Sequence, residues 1–228
     1  MKQFKIRCSA IGSIMSNARS KTEILSKTCT SYLDLWIKEQ LYERRKEIKG
    51  KFLDKGNIME QDALDLVAKK LGIGILEKNE KHYEDDFFTG TPDAIPGQCV
   101  VDTKCSWDFS TFPLLQEGIE NKDYAAQLQG YMRLTGKKSA KLVYCLLDTP
   151  MHLIKREAYY YCINNGWDEL QDKILKEHID RMTYANIPEN LKYKSFDLER
   201  DDAYIESVIE RVKECRKYID AKLITINI

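Results

Sequence analysis

The sequence predicts an α/β fold in which helices pack around a mixed central sheet. Amphipathic helical segments alternate with short β-rich runs in the order helix, strand, strand, helix, strand. The chain has 228 residues, 43% of them hydrophobic, enough for the core of one moderate domain. Neither internal repeats nor low-complexity tracts interrupt it.

The elements follow in order. Residues 10–19 and 30–48 are expected to be helical, the second with an apolar stripe of Tyr32, Leu33, Leu35, Trp36 and Leu41. Residues 57–71 form an amphipathic helix whose Ala63, Leu64, Val67, Ala68 and Leu71 share a face. Residues 87–95 are extended, Ile95-Pro96-Gly97-Gln98 is turn chemistry, and Cys99-Val100-Val101 begins a second strand. Residues 122–135 read as a helix stopping at Gly136, and residues 140–147 as an apolar strand. Residues 158–163 read as a further strand bounded by Asn164-Asn165-Gly166; Tyr159, Tyr160 and Tyr161 are assigned to it rather than to base stacking. Residues 167–184 and 201–221 are two long charged helices separated by a loop bearing Pro188. The expected division is a core over residues 1–163, with basic N-terminal helices, and a helical extension over residues 164–228 packed on the same domain.

Composition narrows the classes. No apolar run approaches the roughly 20 residues needed to span a bilayer, and the N-terminal Met1-Lys2-Gln3-Phe4-Lys5-Ile6-Arg7 shows no secretory apolar segment. Seven scattered cysteines without C-x-x-C spacing suit free thiols in a cytoplasmic compartment and no zinc ribbon. Three dispersed histidines form no ligand pair and no nucleophile–base arrangement, and Gly72-x-Gly74 reads as a helix-terminating turn rather than a dinucleotide site. The net charge is zero but unevenly spread: +7 over residues 1–56, −5 over 57–95, +1 over 96–163 and −3 over 164–228. A basic first third beside an acidic segment suits a polyanion held next to a cation pocket.

The chemistry concentrates at Gly90-Thr91-Pro92-Asp93 and Asp102-Thr103-Lys104. Asp102 and Lys104 are two apart on a strand, so both leave one face, rooted roughly 6–7 Å apart. That suits a metal-binding carboxylate beside an ammonium that reaches the same phosphate or attacking water. Glu60, near a helix start, is either a dipole-favoured acid or a third carboxylate aimed at the same ion. Hard divalent cations want such oxygen ligands, and Glu60, Asp93, Asp102 and the Thr103 carbonyl would make a shell for Mg²⁺. Gln127 and Tyr131 share a helix face four residues apart.

Gly56-x-x-x-Glu60, Thr91-Pro92-Asp93, Asp102-x-Lys104 and Gln127-x-x-x-Tyr131, in this order, resemble the motif series of the PD-(D/E)XK nuclease superfamily. Within it the chain is most similar to the lambda-type phage exonucleases and related viral recombinases, through residues 124–138 and through Cys8-Ser9-Ala10-Ile11 and Arg19-Ser20. The resemblance covers residues 5–150. It implies a restriction-endonuclease-like core and a 5′→3′ exonuclease that degrades linear double-stranded DNA into single-stranded tails. Glu60, Asp93 and Asp102 would hold one or two Mg²⁺ or Mn²⁺ ions, with Lys104 on the attacking water and scissile phosphate. Ser9, Thr91 and Gln127, with Arg7 or Arg19, and with Tyr131 beside Gln127, would hold DNA and its 5′-terminal phosphate. A single-strand annealing protein, a ring-shaped homotrimer and a phage origin, hence a bacterial host cytoplasm, are further implications. The sequence departs from the pattern at Asp102, where relatives have glutamate, at Ala94, where glycine is common, and after Lys104, where Cys105-Ser106-Trp107 replaces a Cys-Pro exit. A structure-selective or sequence-specific endonuclease on the same core and a non-catalytic DNA-binding protein are the alternatives.

Overall fold

Two three-stranded sheets make up the strand content of the computed structural model, which describes residues 2–20 and 22–227. The first sheet has the order β1 (Ile6–Arg7), β3 (Phe88–Gly90), β2 (Tyr83–Glu84); β1 runs parallel to β3 and β2 antiparallel to it. The second sheet places β4 (Cys99–Cys105) parallel to β5 (Ser139–Cys145), and β6 (Tyr193–Glu199) antiparallel to β5. The sheet is therefore mixed, as expected. The anticipated hairpin between residues 87 and 105 is realised only as the antiparallel bridge of Ala94 with Val101.

The second sheet is buried on both faces, which explains the continuous apolar runs in β4 and β5. On one face Val100, Ala140 and Leu142 join a core with Leu128 and Met132 of α5 (Lys122–Thr135), Leu33 of α2 (Lys27–Leu41), and Ile205, Ile209 and Val212 of α8 (Asp202–Thr225). On the other face Val101, Val143 and Cys145 pack on Ala63, Leu64, Val67 and Ala68 of α4 (Glu60–Leu71). The short α1 (Ile11–Met15) follows a 3₁₀ turn over Cys8–Ala10.

Local chemistry sets the helix ends. Ser26 caps α2 by accepting from the Cys29 amide, and Asn121 caps α5 by accepting from the Asp123 amide. Gly72, at φ 67°, ends α4 in the left-handed conformation, so Gly72-x-Gly74 is the helix-terminating turn its sequence suggested. The helix expected over residues 57–71 is two: α3 (Lys51–Ile58) breaks at Met59, and α4 begins at Glu60.

Two expectations are corrected. Residues 158–163 are not a strand but the end of α6 (Met151–Asn164), a helix started after Pro150. The tyrosine triplet favours a strand locally, yet Leu153, Ile154, Ala158 and Cys162 are buried at helical spacing, and Ile154 and Ala158 pack with residues of α7 (Asp172–Met182). Tyr159, Tyr160 and Tyr161 are left exposed. Conversely, the stretch read as a loop around Pro188 contains β6, so the C-terminal residues supply the third strand of the second sheet as well as two helices.

Candidate active site

The outer edge of β4 carries the site. Val101 exchanges both backbone hydrogen bonds with Ala94, so alternate residues of β4 face away from β5. Two residues on, the Thr103 amide donates to Asp93 Oδ2 at 2.7 Å and its hydroxyl to the same oxygen at 2.9 Å. Because a strand residue presents N–H and C=O on one edge, the Thr103 carbonyl leaves on the side of Asp93. Asn79 fixes the approach to Asp93: its amide donates to the Asp93 carbonyl at 2.7 Å and its side chain to the Pro92 carbonyl at 2.9 Å.

Asp102 and Lys104 project from the face packed on α5. Asp102 is only 1% exposed. Its Oδ1 accepts from Gln127 Nε2 at 3.2 Å. Its Oδ2 lies 2.5 Å from Lys104 Nζ, an ion contact without hydrogen-bond alignment, and has no other partner. Lys104 also sits 4.8 Å from the centre of the Tyr124 ring, a cation–π contact that fixes the ammonium from its other side. Burial works against that charge, but Asp102 and Asp93 outweigh it and hold the lysine above its usual range. The Asp93 carboxyl also rises, which for it favours the neutral form: burial, then the charge of Asp102, pushes it up to about 7.

Asp93, Thr103 and Lys104 open on a cleft of about 540 Å³, with Asp102 buried behind them; the cleft is walled by Phe52, Leu53 and Trp107 and also lined by Glu60, Tyr124 and Tyr144. Glu60 thus faces the cleft, with its Oε2 2.7 Å from Lys78 Nζ. No group of three or more His, Cys, Asp or Glu side chains converges at metal-binding distance among the described residues. The oxygens gathered there are those of Asp93 and Asp102, whose charges act on each other, and the Thr103 carbonyl on the Asp93 side. Two carboxylates and a carbonyl, all oxygen, one of them an orphaned buried Asp102 oxygen, fit Mg²⁺, which keeps waters and substrate oxygens in its remaining positions.

The remaining sequence candidates separate into near and distant groups. Gln127 donates to Asp102 and, at 2.9 Å, to the Tyr131 hydroxyl. Tyr131 is buried, packed where the 3₁₀ turn of Cys8 meets Gly90. It therefore supports Gln127 from within the core. A methyl group at Gly130 would stand 2.8 Å from Cys8 Sγ, so α5 needs glycine there to accept that turn. Arg7 and Ser9 are exposed at the end of β1, with Arg7 in register with Thr89 of β3. Arg19 lines a separate surface hollow with Asn17, Glu23 and Lys27. Sequence reasoning passed over His82, whose two ring nitrogens contact the hydroxyls of Thr91 (3.0 Å) and Thr89 (2.7 Å). It also passed over Asn79 and Tyr124; only Tyr124 carried a signal, one helical turn before Gln127.

No family model and no curated protein matches the sequence. Solved structures do. A phage-related exonuclease from Haemophilus somnus 129PT superposes with TM-score 0.79 at 27% identity, over 99% of this chain and 97% of its own. The likeness is consistent with the lambda-type exonuclease family of the PD-(D/E)XK nucleases. An alkaline exonuclease from Laribacter hongkongensis shares the fold, with TM-score 0.68 at 17% identity over 98% of this chain and 91% of its own. Its complex with dAMP gives 0.66 at 17% identity, over 97% of this chain and 91% of its own. The likeness to the phage-related exonuclease supports a nuclease function. Asp93, Asp102 and Lys104, the acidic pair and lysine singled out by the sequence resemblance, lie together at one strand edge.

Proposed function

We propose that this nuclease is a divalent-metal-dependent deoxyribonuclease that degrades linear double-stranded DNA from its ends in the 5′→3′ direction. The observation that carries the reading is the Asp93–Thr103–Asp102–Lys104 cluster, where all-oxygen donors and one ammonium share a cleft. Asp93, Asp102 and the Thr103 carbonyl would hold Mg²⁺ or Mn²⁺, with Glu60 acting from the cleft wall. A bound ion would supply Lewis acidity at the phosphodiester and an activated water.

The chain's own residues do the rest. Lys104, kept as the ammonium by Asp102, donates toward the phosphate oxygens, where charge grows as the water attacks. Gln127 holds Asp102 in place, and the Tyr124 ring limits where the ammonium can swing. Phe52, Leu53 and Trp107 give the cleft an apolar side that sheds water from the reacting group. His82 orients the Thr91 hydroxyl, and Thr91 with Arg7 and Ser9 would receive a 5′-terminal phosphate. Exposed Arg44, Arg45 and Lys46, in the loop leading into α3, would add positive charge for a DNA backbone. By family resemblance, the tails produced would feed a single-strand annealing protein, and a ring trimer would enclose the duplex in a host cytoplasm. No described helix is long and apolar enough to cross a membrane.

The test is digestion of linear and covalently closed forms of one plasmid with Mg²⁺, Mn²⁺ or EDTA. The wild type should consume only linear DNA, only with metal, and faster with a 5′-phosphate than a 5′-hydroxyl. Lys104→Ala should slow it by about 10²–10⁴-fold. Cutting of the closed circle would replace this reading with an endonuclease, and metal-independent binding without cleavage would replace it with a binding protein.

A further inference from the structure

The C-terminal strand brings a second lysine into line with the catalytic one. Register across the second sheet pairs Lys104 of β4 with Tyr144 of β5, and Tyr144 with Lys194 of β6. Residues in register project from the same face. Asp102, Leu142 and Phe196 form the adjacent row on that face. A continuous strip thus runs from the acidic pair through Lys104 and Tyr144 to Lys194. Its floor is aromatic: Tyr124 and Tyr144 lie 6.3 Å apart, Tyr144 and Phe196 6.1 Å. Lys194 Nζ rests 5.5 Å from the Phe196 ring centre.

The charge balance along this sheet is selective. Lys141, on the opposite face, is paired with Asp197 directly across from it. Among the described residues no carboxylate lies within ion-pair distance of Lys194, although the C-terminal segment is acidic on balance. A half-buried lysine held on an aromatic floor, without a counter-ion and in register with Lys104, is built for an anion that arrives with the substrate. With strands about 4.8 Å apart, the two lysine roots are roughly 10 Å apart. Long flexible stems then let the two ammonium groups take neighbouring phosphates of one strand.

We propose that Lys194 is a DNA-backbone subsite, binding the phosphate that flanks the scissile one and aligning the strand over Lys104, with Tyr144 beneath the intervening sugar. The proposal rests on the nuclease reading above and gives β6 a part in substrate binding. Lys194 does not touch the reacting atoms, so its loss should act on binding and on its salt dependence rather than on the chemical step.

The experiment measures binding of a 3′-labelled, 5′-phosphorylated blunt duplex in EDTA across a salt series, with cleavage at saturating DNA and Mg²⁺ measured in parallel. Lys194→Gln should lower the slope of log affinity against log salt by about 0.7–0.9, the share of one phosphate contact. It should also raise KM roughly five- to tenfold and leave kcat within about twofold. Lys194→Arg should restore the slope, and Lys141→Gln should not change it. A Lys194→Gln protein with wild-type slope and KM, while the wild type cuts the duplex, overturns the subsite and leaves the nuclease reading standing. A wild type that neither binds nor cuts the duplex overturns both.

Discussion

At the scale of single residues, a buried and a half-buried carboxylate crowd one lysine, so that their charges do not balance. Lys104 neutralises Asp102, and Asp93 is left as the surplus, its carboxyl raised to about 7 from an ordinary 3.8. The sign follows from linkage. The folded state holds the Asp93 proton to a higher pH than the unfolded state, so in the absence of metal this group's contribution to stability is present at low pH. It is lost as pH rises through about 7. Asp93→Asn removes the surplus charge while keeping an oxygen for the Thr103 amide and hydroxyl. In EDTA at pH 8 the variant should therefore melt higher than the wild type, by about 2–4 °C per kcal/mol gained. Mg²⁺ should raise the wild-type melting temperature but not the variant's, and the variant should not cleave. A variant melting no higher than the wild type in EDTA would show that Asp93 and Asp102 are not in conflict.

At the scale of elements, Lys55 explains how α3 is fastened behind the cleft. Its side chain is fully buried and donates to the carbonyls of Trp107 (2.9 Å) and Leu147 (2.7 Å), just past the ends of β4 and β5. Burial pulls its ammonium down to about 8. Here the unfolded chain keeps its proton longer than the folded one, so this group's contribution to stability rises with pH between about 8 and 10.5. Lys55→Met should cost about 1–3 kcal/mol at neutral pH, because two carbonyls lose their donor. The deficit relative to wild type should widen from pH 7 to pH 10 in urea denaturation. A constant deficit would mean that the lysine stays charged. The same scale shows what the sequence hid. The period of α4 was legible because Ala63, Leu64, Val67 and Ala68 are buried at helical spacing, whereas α5, buried without a break over residues 126–132, was legible by its stop at Gly136. The helix α6 was not, because Tyr159, Tyr160 and Tyr161 satisfy a local β preference that packing against α7 overrides. The strand β6 alternates Lys194, Phe196 and Leu198 against Tyr193, Ser195 and Asp197, a period-two signal obscured by its charge.

At the scale of the whole molecule, β6 and α8 complete the fold. Phe196 and Leu198 stand over Leu142 and Ala140 in register, and α8 buries Ile205, Val208, Ile209, Val212, Cys215 and Ile219 in the main core. A chain ending at Lys192 exposes all of that surface along with the free edge of β5. It should be insoluble or melt without a cooperative transition, which circular dichroism and urea titration would read directly. A cooperatively melting, DNA-cleaving product would show instead that residues 193–228 are an accessory.

The sequence by itself determined the candidate residues and their order: Asp93, Asp102, Lys104 and Gln127 are local motifs, with spacings that a strand or a helix turns into shared faces. Tertiary structure decided the rest. It laid Asp93 along the outer edge of β4 through a single bridge, clamped that turn with Asn79, and left Glu60 facing Lys78. It also set Lys194 in register with Lys104 across some ninety residues of chain. The physical reason is range. Helix and strand periodicity are written in neighbouring residues, whereas strand pairing and ion pairing between distant segments depend on which surfaces the core buries together.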